Sequence, residues 1–345
     1  MAIKIAINGF GRIGRAFLRI AHARPEFEIV AVNDLGDAAN FAYLLKYDSV
    51  YGRAPFEVEA AEGALIVDGK RITLLSESEP SKLPWKSLNI DVVIESSGFF
   101  TSYEKARAHL DAGAKRVVIT APVKDEPPEG ITGATVLVGI NDDKFATCSI
   151  TSNASCTTNA ASPVMQILHE AIGIEKAVLS TTHGYTASQN LVDGPVKHSK
   201  GKEDFRDGRA GAHNIVPSST GAAIAVTKAM PELEGKFDGI SLRVPIIAGS
   251  IADMTFVASR DTSEEEVNTI LKKAAGDARW KPVFSVTEEP LVSSDILGSA
   301  YASIADLSLT RVVGGNLVKV LAWYDNEVGY AYSLMEHVAR LAKYI

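Results

Sequence analysis

The stretch IKIAINGFGRIGRAFLRI, Ile3 to Ile20, joins an apolar run to a helical pattern through a turn that carries Gly9, Gly11 and Gly14. Their order is G-x-G-x-x-G, directly after a strand and opening a helix. In that setting each glycine has its own role. Gly9 permits the tight turn, Gly11 lets the backbone approach a pyrophosphate, and Gly14 lets helix pack on strand. The helix N-terminus then favours the anion. Phe10, Arg12 and Ile13 share the loop and count with the glycines as candidate contacts. Asp34 ends the next apolar strand, about twenty residues beyond Gly14, where a carboxylate accepts hydrogen bonds from the ribose hydroxyls of an adenosine. It would repel a 2′-phosphate, which favours NAD over NADP.

Outward from this unit the alternation continues. EIVAVND reads as a strand and AANFAYLLKY as a helix, the rhythm of a parallel sheet with crossover helices. ALIVDGKRITLL has two apolar runs around Asp68-Gly69, a dipeptide suited to a tight hairpin, and is read as an antiparallel excursion. DVVIESSGFF, a helix at about Ser102 to Ala112, KRVVIT and ATVLVGI carry the sheet to about Thr151. Ser97 and Thr120 follow strands of this sheet, on the edge where such folds hold ligands. Beyond Cys156 come long strands, KAVLSTTH, DGISLRV, SIADMTFVAS and NLVKVLAWY, with few helices between them, which predicts a mostly antiparallel sheet. Thr262 and Glu265 have capping-box spacing ahead of an apolar helix face. The expected fold is therefore α/β followed by α+β: a Rossmann-type dinucleotide domain over residues 1–152 and a second, catalytic domain over 153–327. A final amphipathic helix, 328–345, is expected to pack back on the first domain.

The chain has 345 residues, of which 46% are apolar and 22% charged, enough for two cores. No apolar run approaches the roughly 18 residues of a membrane span, and the N-terminus reads as a strand rather than a leader. A net charge of −7 argues against nucleic-acid binding, which needs a basic face. KHSKGK, Lys197 to Lys202, is the one basic cluster and reads as a solvated loop. Two cysteines, Cys148 and Cys156, are too few for a disulfide framework and fit a reducing cytoplasm.

Cys156 stands in SNASCTTN, ahead of a helical pattern with Val164, Ile167, Leu168 and Ala171 on one face. A helix N-terminus or a cationic neighbour lowers a thiol pKa and makes the attacking thiolate. The helix start has two readings: Ser162-Pro163 as N-cap and N1, or a start at Cys156 with Pro163 accommodated inside. Cys148, in KFATCSI, reads as a small buried strand residue. Among seven histidines, His183 ends the strand KAVLSTTH before Gly184, from where an imidazole could reach a thiol and act as its base or serve only the sheet edge. No Cys/His spacing matches a metal site.

The segments INGFGRIGR, NDL, LLKYDSVYG, SNASCTTN, THGYT, VPSSTGAA, RVP and WYDNEVGY, in this order over the full length, resemble the phosphorylating glyceraldehyde-3-phosphate dehydrogenase family. The resemblance implies oxidation of glyceraldehyde 3-phosphate to 1,3-bisphosphoglycerate with reduction of NAD, in a cytoplasmic homotetramer. It implies that Cys156 attacks the aldehyde to give a thiohemiacetal and then a thioester, with His183 as base and the Cys156 N–H helping to hold the oxyanion. Thr186 and Arg243 would hold the substrate phosphate. Ser155, Thr157, Thr220 and Gly221 would hold the attacking phosphate, with Arg206 or Arg209 assisting. Asn326 would bond the nicotinamide amide and Tyr330 would flank its ring. Ala160, Ser188 and the segment after Arg243 depart from the family pattern. Two rivals share the scaffold: an erythrose-4-phosphate dehydrogenase, in which water cleaves the thioester, and a non-catalytic NAD-binding sensor.

Overall fold

Ile5, Ala6 and Ile7 are wholly buried, as a strand covered on both faces must be, and Ile3–Asn8 lies at the centre of a nine-stranded sheet. From edge to edge the sheet runs Gly133–Thr135, Ile150–Ser152, Arg116–Ile119, Val92–Glu95, Ile3–Asn8, Phe27–Asn33, Lys70–Leu75, Ala64–Val67 and Val58–Ala61. Every pairing is parallel until the last three strands, which form the expected antiparallel excursion. Asp68 and Gly69 both adopt positive φ, 46° and 74°, which a two-residue hairpin turn of this hand requires. The second sheet has seven strands, in the order Val216–Ser219, Phe237–Val244, Ile174–Gly184, Ser250–Ala258, Leu317–Tyr324, Ser303–Val313 and Phe284–Thr287. It is mostly antiparallel, but Ile174–Gly184 runs parallel to Phe237–Val244 and Phe284–Thr287 runs parallel to Ser303–Val313.

This computed structural model describes residues 2–196 and 204–345. The basic stretch Lys197 to Lys202, with His198, lies outside them. Two units form, one comprising the residues up to Ser155 together with Leu334–Ile345, the other Cys156–Ser333. Among the described residues no helix is long and apolar enough to cross a membrane.

Local readings differ from the structure in three places. ATVLVGI contributes only Ala134 and Thr135 to the sheet, in the strand Gly133–Thr135, because the chain enters a turn at Val138. Cys148 follows a single helical turn, Lys144–Thr147, instead of lying in a strand, though it is buried as expected. The helix Glu264–Ala275 is capped by Ser263, whose hydroxyl accepts the Glu266 N–H at 3.1 Å, while Thr262 donates to the Glu266 carboxylate at 2.8 Å. The cap sits one residue later than the spacing implied because Ser263 is as good an N-cap as threonine.

Candidate active site

In the first unit the glycine turn has the geometry of an anion cradle. Gly9 has φ +96°, and a Cβ there would lie 2.4 Å from the Ser97 nitrogen. A Cβ on Gly14 would lie 2.3 Å from the Gly9 carbonyl oxygen, so the helix Arg12–Ala21 presses directly on the turn. Gly11 is different: its φ is −69° and a Cβ there would meet nothing within 4 Å. No side chain caps the helix and its first turn holds no acid, so its N-terminus is open to an anion. Beside it is a cavity of about 770 Å³ lined by Asn8, Gly11, Asn33, Asp34, Ser97 and Phe99, among others.

Asp34 is held in place by two backbone donors. Its carboxylate accepts the Phe10 N–H at 2.7 Å and the Gly36 N–H at 3.3 Å. Phe10 itself is buried, edge-on to Phe41, so its ring serves packing. Arg12 forks onto Asp48 at 2.6 and 3.3 Å, a partner that the sequence reading did not single out. Ile13 lies in the first helical turn, and the Thr120 hydroxyl donates to the Glu95 carbonyl at 3.0 Å. An open helix N-terminus, clear space over Gly11 and a fixed carboxylate suit a dinucleotide such as NAD.

Gly9 and Gly11 therefore separate two effects. Gly9→Ala forces a side chain into left-handed backbone and into Ser97, and is expected to cost about 3 kcal/mol of stability. Gly11→Ala should leave the melting temperature within a few degrees but weaken NAD binding at least about tenfold, its methyl filling the space the pyrophosphate needs. Calorimetric melting paired with NAD titration checks both, and an unchanged NAD affinity for Gly11→Ala would refute this placement.

The second unit opens on Cys156. The helix Cys156–Ile172 begins at this residue, which settles its start, and Pro163 lies inside it. His183 comes from the strand Ile174–Gly184, and its Nε2 lies 3.4 Å from the Cys156 Sγ. Arg243 is its register partner on the neighbouring parallel strand. Residues paired in this way share a sheet face, and the Arg243 guanidinium accordingly contacts His183 Nδ1. That nitrogen also lies 2.6 Å from the Gly184 carbonyl. A guanidinium only donates, so Nδ1 accepts while Arg243 is on it; once Arg243 is drawn away, a proton on Nδ1 satisfies that carbonyl and leaves the Nε2 lone pair facing the thiol.

Electrostatics describe a neutral resting pair. Burial, followed by the Arg243 charge, pushes His183 down to about 3. Burial pushes the Cys156 thiol up, against the pull of Arg243 and of the Thr157 N–H. The sequence led us to expect a thiolate at a helix N-terminus. Desolvation outweighs that effect.

Beneath the pair is Tyr324, which the sequence reading passed over although WYDNE was in view. Its ring is edge-on to His183, with centroids 5.9 Å apart. Its hydroxyl lies 2.8 Å from Thr157 Oγ1 and 2.7 Å from Thr181 Oγ1, and Thr181 donates to the Ile251 carbonyl at 3.1 Å. The Thr181 hydrogen is thus committed, so Tyr324 donates to Thr181 and Thr157 donates to Tyr324. Burial raises the Tyr324 phenol, which stays protonated in that role.

The other predicted residues separate into two groups. Gly221 is the N-cap of the helix Ala222–Ala229, which Thr158, a residue not among those predicted, ties to the Cys156 helix by donating to the Ala222 carbonyl at 3.4 Å. Thr220 accepts the Ala222 N–H at 3.1 Å beside it. Ser155 is half-buried immediately before Cys156. Thr186 bonds Ser188 at 2.9 Å. Arg206 and Arg209, by contrast, are exposed and paired with Asp204 and Asp193. Asn326 is buried, its carbonyl oxygen accepting the Gly249 N–H at 3.0 Å and the Ser250 hydroxyl at 3.1 Å, while Tyr330 is buried in the final helix.

Comparison with known proteins agrees with both halves. Residues 3–103 match the NAD binding domain of glyceraldehyde 3-phosphate dehydrogenase, and residues 155–326 match its C-terminal domain. The chain is 48% identical over 339 residues to glyceraldehyde-3-phosphate dehydrogenase 1 of Streptomyces avermitilis, covering 97% of both chains. It is 46% identical over 347 residues to the Clostridium pasteurianum enzyme of that name and 48% over 343 to that of Thermotoga maritima, covering 99% of each chain in both cases. On the strength of both domain matches and this full-length identity, the chain belongs to the glyceraldehyde-3-phosphate dehydrogenase family.

Proposed function

We propose that the protein oxidises D-glyceraldehyde 3-phosphate to 1,3-bisphosphoglycerate with NAD and inorganic phosphate. The observation that carries this reading is the 3.4 Å approach of Cys156 Sγ to His183 Nε2 in a chain whose first unit has a dinucleotide cradle. As Sγ bonds to the aldehyde carbon, its proton passes to Nε2, and the carbonyl oxygen, held by the Cys156 N–H, takes that proton from His183 to give the thiohemiacetal and return the imidazole to its neutral form. His183 then removes the hydroxyl proton as the carbon loses hydride and the thioester forms. NAD, when bound, supplies the hydride acceptor. Phosphate attacks the thioester carbonyl, the carbon–sulfur bond breaks, and His183 returns a proton to the departing sulfur.

Arg243 has two partners in this scheme. Against His183 it suppresses protonation of the imidazole. Drawn onto the substrate phosphate with Thr186, its charge is compensated and His183 can accept the thiol proton. Ser155, Thr220 and Gly221 hold the attacking phosphate together with Thr157, whose hydroxyl hydrogen turns from Tyr324 to the anion, and Arg206 or Arg209 swings from its carboxylate to assist. Asn326, its oxygen already occupied, offers its NH₂ to the nicotinamide carboxamide, and Tyr330 flanks the ring. The exposed apolar side chains Val178 and Ile240, which share a face of the second sheet, support a homotetramer, and two free cysteines suit a reducing cytoplasm.

NADH formation followed by absorbance tests the reading. Glyceraldehyde 3-phosphate should give sustained turnover only when phosphate is present. Preference for erythrose 4-phosphate with phosphate dispensable would overturn it in favour of thioester hydrolysis, and NAD binding without turnover on either aldehyde would leave a sensor.

A further inference from the structure

We propose that Glu95 is a positioning residue for the dinucleotide, a buried carboxylate that holds the Gly9 turn in its receptive shape through Asn8 and Ser97. Asn33, Asn8 and Glu95 are register partners at the C-terminal ends of three adjacent parallel strands, so their side chains form one row along a sheet face. All three are almost wholly buried. Asn33 Nδ2 donates to Asn8 Oδ1 at 2.7 Å, and Asn8 Nδ2 donates to Glu95 Oε2 at 2.6 Å. Beyond Asn33 the row closes on the Glu77 backbone, whose carbonyl accepts and whose N–H donates, both at 2.9 Å.

On the other side His109, also buried, lies 2.9 Å from Glu95 Oε2 through Nε2. Its Nδ1 faces the Trp85 indole nitrogen at 3.0 Å. An indole N–H can only donate, so Nδ1 accepts and Nε2 carries the hydrogen given to Glu95. The last two donors are the N–H and hydroxyl of Ser97, both on Glu95 Oε1. Four donors thus converge on one acceptor-only group, and none carries a formal charge.

A carboxylate buried among neutral donors is a costly way to fill a core, and apolar side chains would fill it without that penalty. What the charge adds is direction: it fixes every amide in the row and pins Ser97. Gly9 approaches the Ser97 backbone so closely that a Cβ would not fit between them, and the neighbouring Ser96 hydroxyl donates to the Gly9 carbonyl at 2.7 Å. Asn8, Asn33, Glu77, Ser96 and Ser97 all line the cavity beside the glycine turn, so the row is its floor.

The inference rests on NAD binding in the first unit, and the experiment separates the two ideas. NAD is titrated into the full-length wild type and into Glu95→Gln by calorimetry, and steady-state kinetics are measured in parallel. The substituted amide would turn an NH₂ toward donors that lose their acceptor, so Kd and KM for NAD should rise at least about tenfold while kcat at saturating NAD holds within about twofold. A wild type that does not bind NAD defeats the cofactor reading. A wild type that binds, with a variant that binds equally well or loses only kcat, defeats the role of Glu95. If Glu95→Gln does not fold, His109 decides, since it does not line the cavity. His109→Gln keeps an N–H where Nε2 stood and should bind NAD like the wild type, whereas His109→Asn reaches only the Nδ1 position and should bind at least about tenfold more weakly. Equal behaviour of those two variants overturns the proposal.

Discussion

Cys156→Ala should lower kcat by at least about 10⁴-fold, because no covalent intermediate forms without the sulfur and the rest of the site then has nothing to act on. The side chain is small and half-buried, so the variant should keep its fold, with a melting temperature close to that of the wild type. NAD binding should survive, since every residue assigned to the glycine cradle lies in the first unit and Cys156 opens the second. Turnover, NAD titration and melting, measured on one preparation, distinguish loss of chemistry from loss of structure. Substantial phosphate-dependent turnover in Cys156→Ala would end the assignment of the nucleophile.

His183→Asn should lower kcat by about 10²–10⁴-fold, the usual contribution of a positioned base. Its pH profile is the more telling measurement. In the wild type the imidazole takes the thiol proton during attack. Without it, the rate follows the fraction of Cys156 already ionised, which grows about tenfold per pH unit below the thiol pKa. Burial raises that pKa, so the residual activity of the variant should climb steeply through the alkaline range and not level off near neutrality. The sign is fixed by the acid: deprotonation creates the nucleophile, so activity rises with pH. A variant with flat or falling activity would show that His183 does not manage the thiol proton.

Local features were legible in the sequence. The glycine turn, Asp34 and the Asp68-Gly69 hairpin are each determined by a few neighbouring residues whose backbone needs are particular, and each appears where it was read. The pairing of Cys156 with His183, 27 residues apart, could not be read from spacing, because it depends on where a helix starts relative to the end of a strand. Its strand-end position made His183 a candidate among the histidines, and resemblance to a family selected it. Arg243 against His183 and the Asn33–Asn8–Glu95 row are consequences of strand register, a tertiary property that no single segment encodes. Pro163 shows the opposite case: a local signal for a helix start that left two readings open, of which the structure has the one beginning seven residues earlier, at Cys156.

The hydroxyl chain below Cys156 runs from Thr157 through Tyr324 to Thr181 and stops at the Ile251 carbonyl. A Grotthuss wire needs a titratable terminus that can absorb or release a proton, and an amide oxygen is neither. The chain is consequently a proton insulator. A hydrogen that leaves sulfur for nitrogen cannot drain into the protein by this route. Isotope exchange with solvent during the covalent half-reaction therefore does not run along this chain.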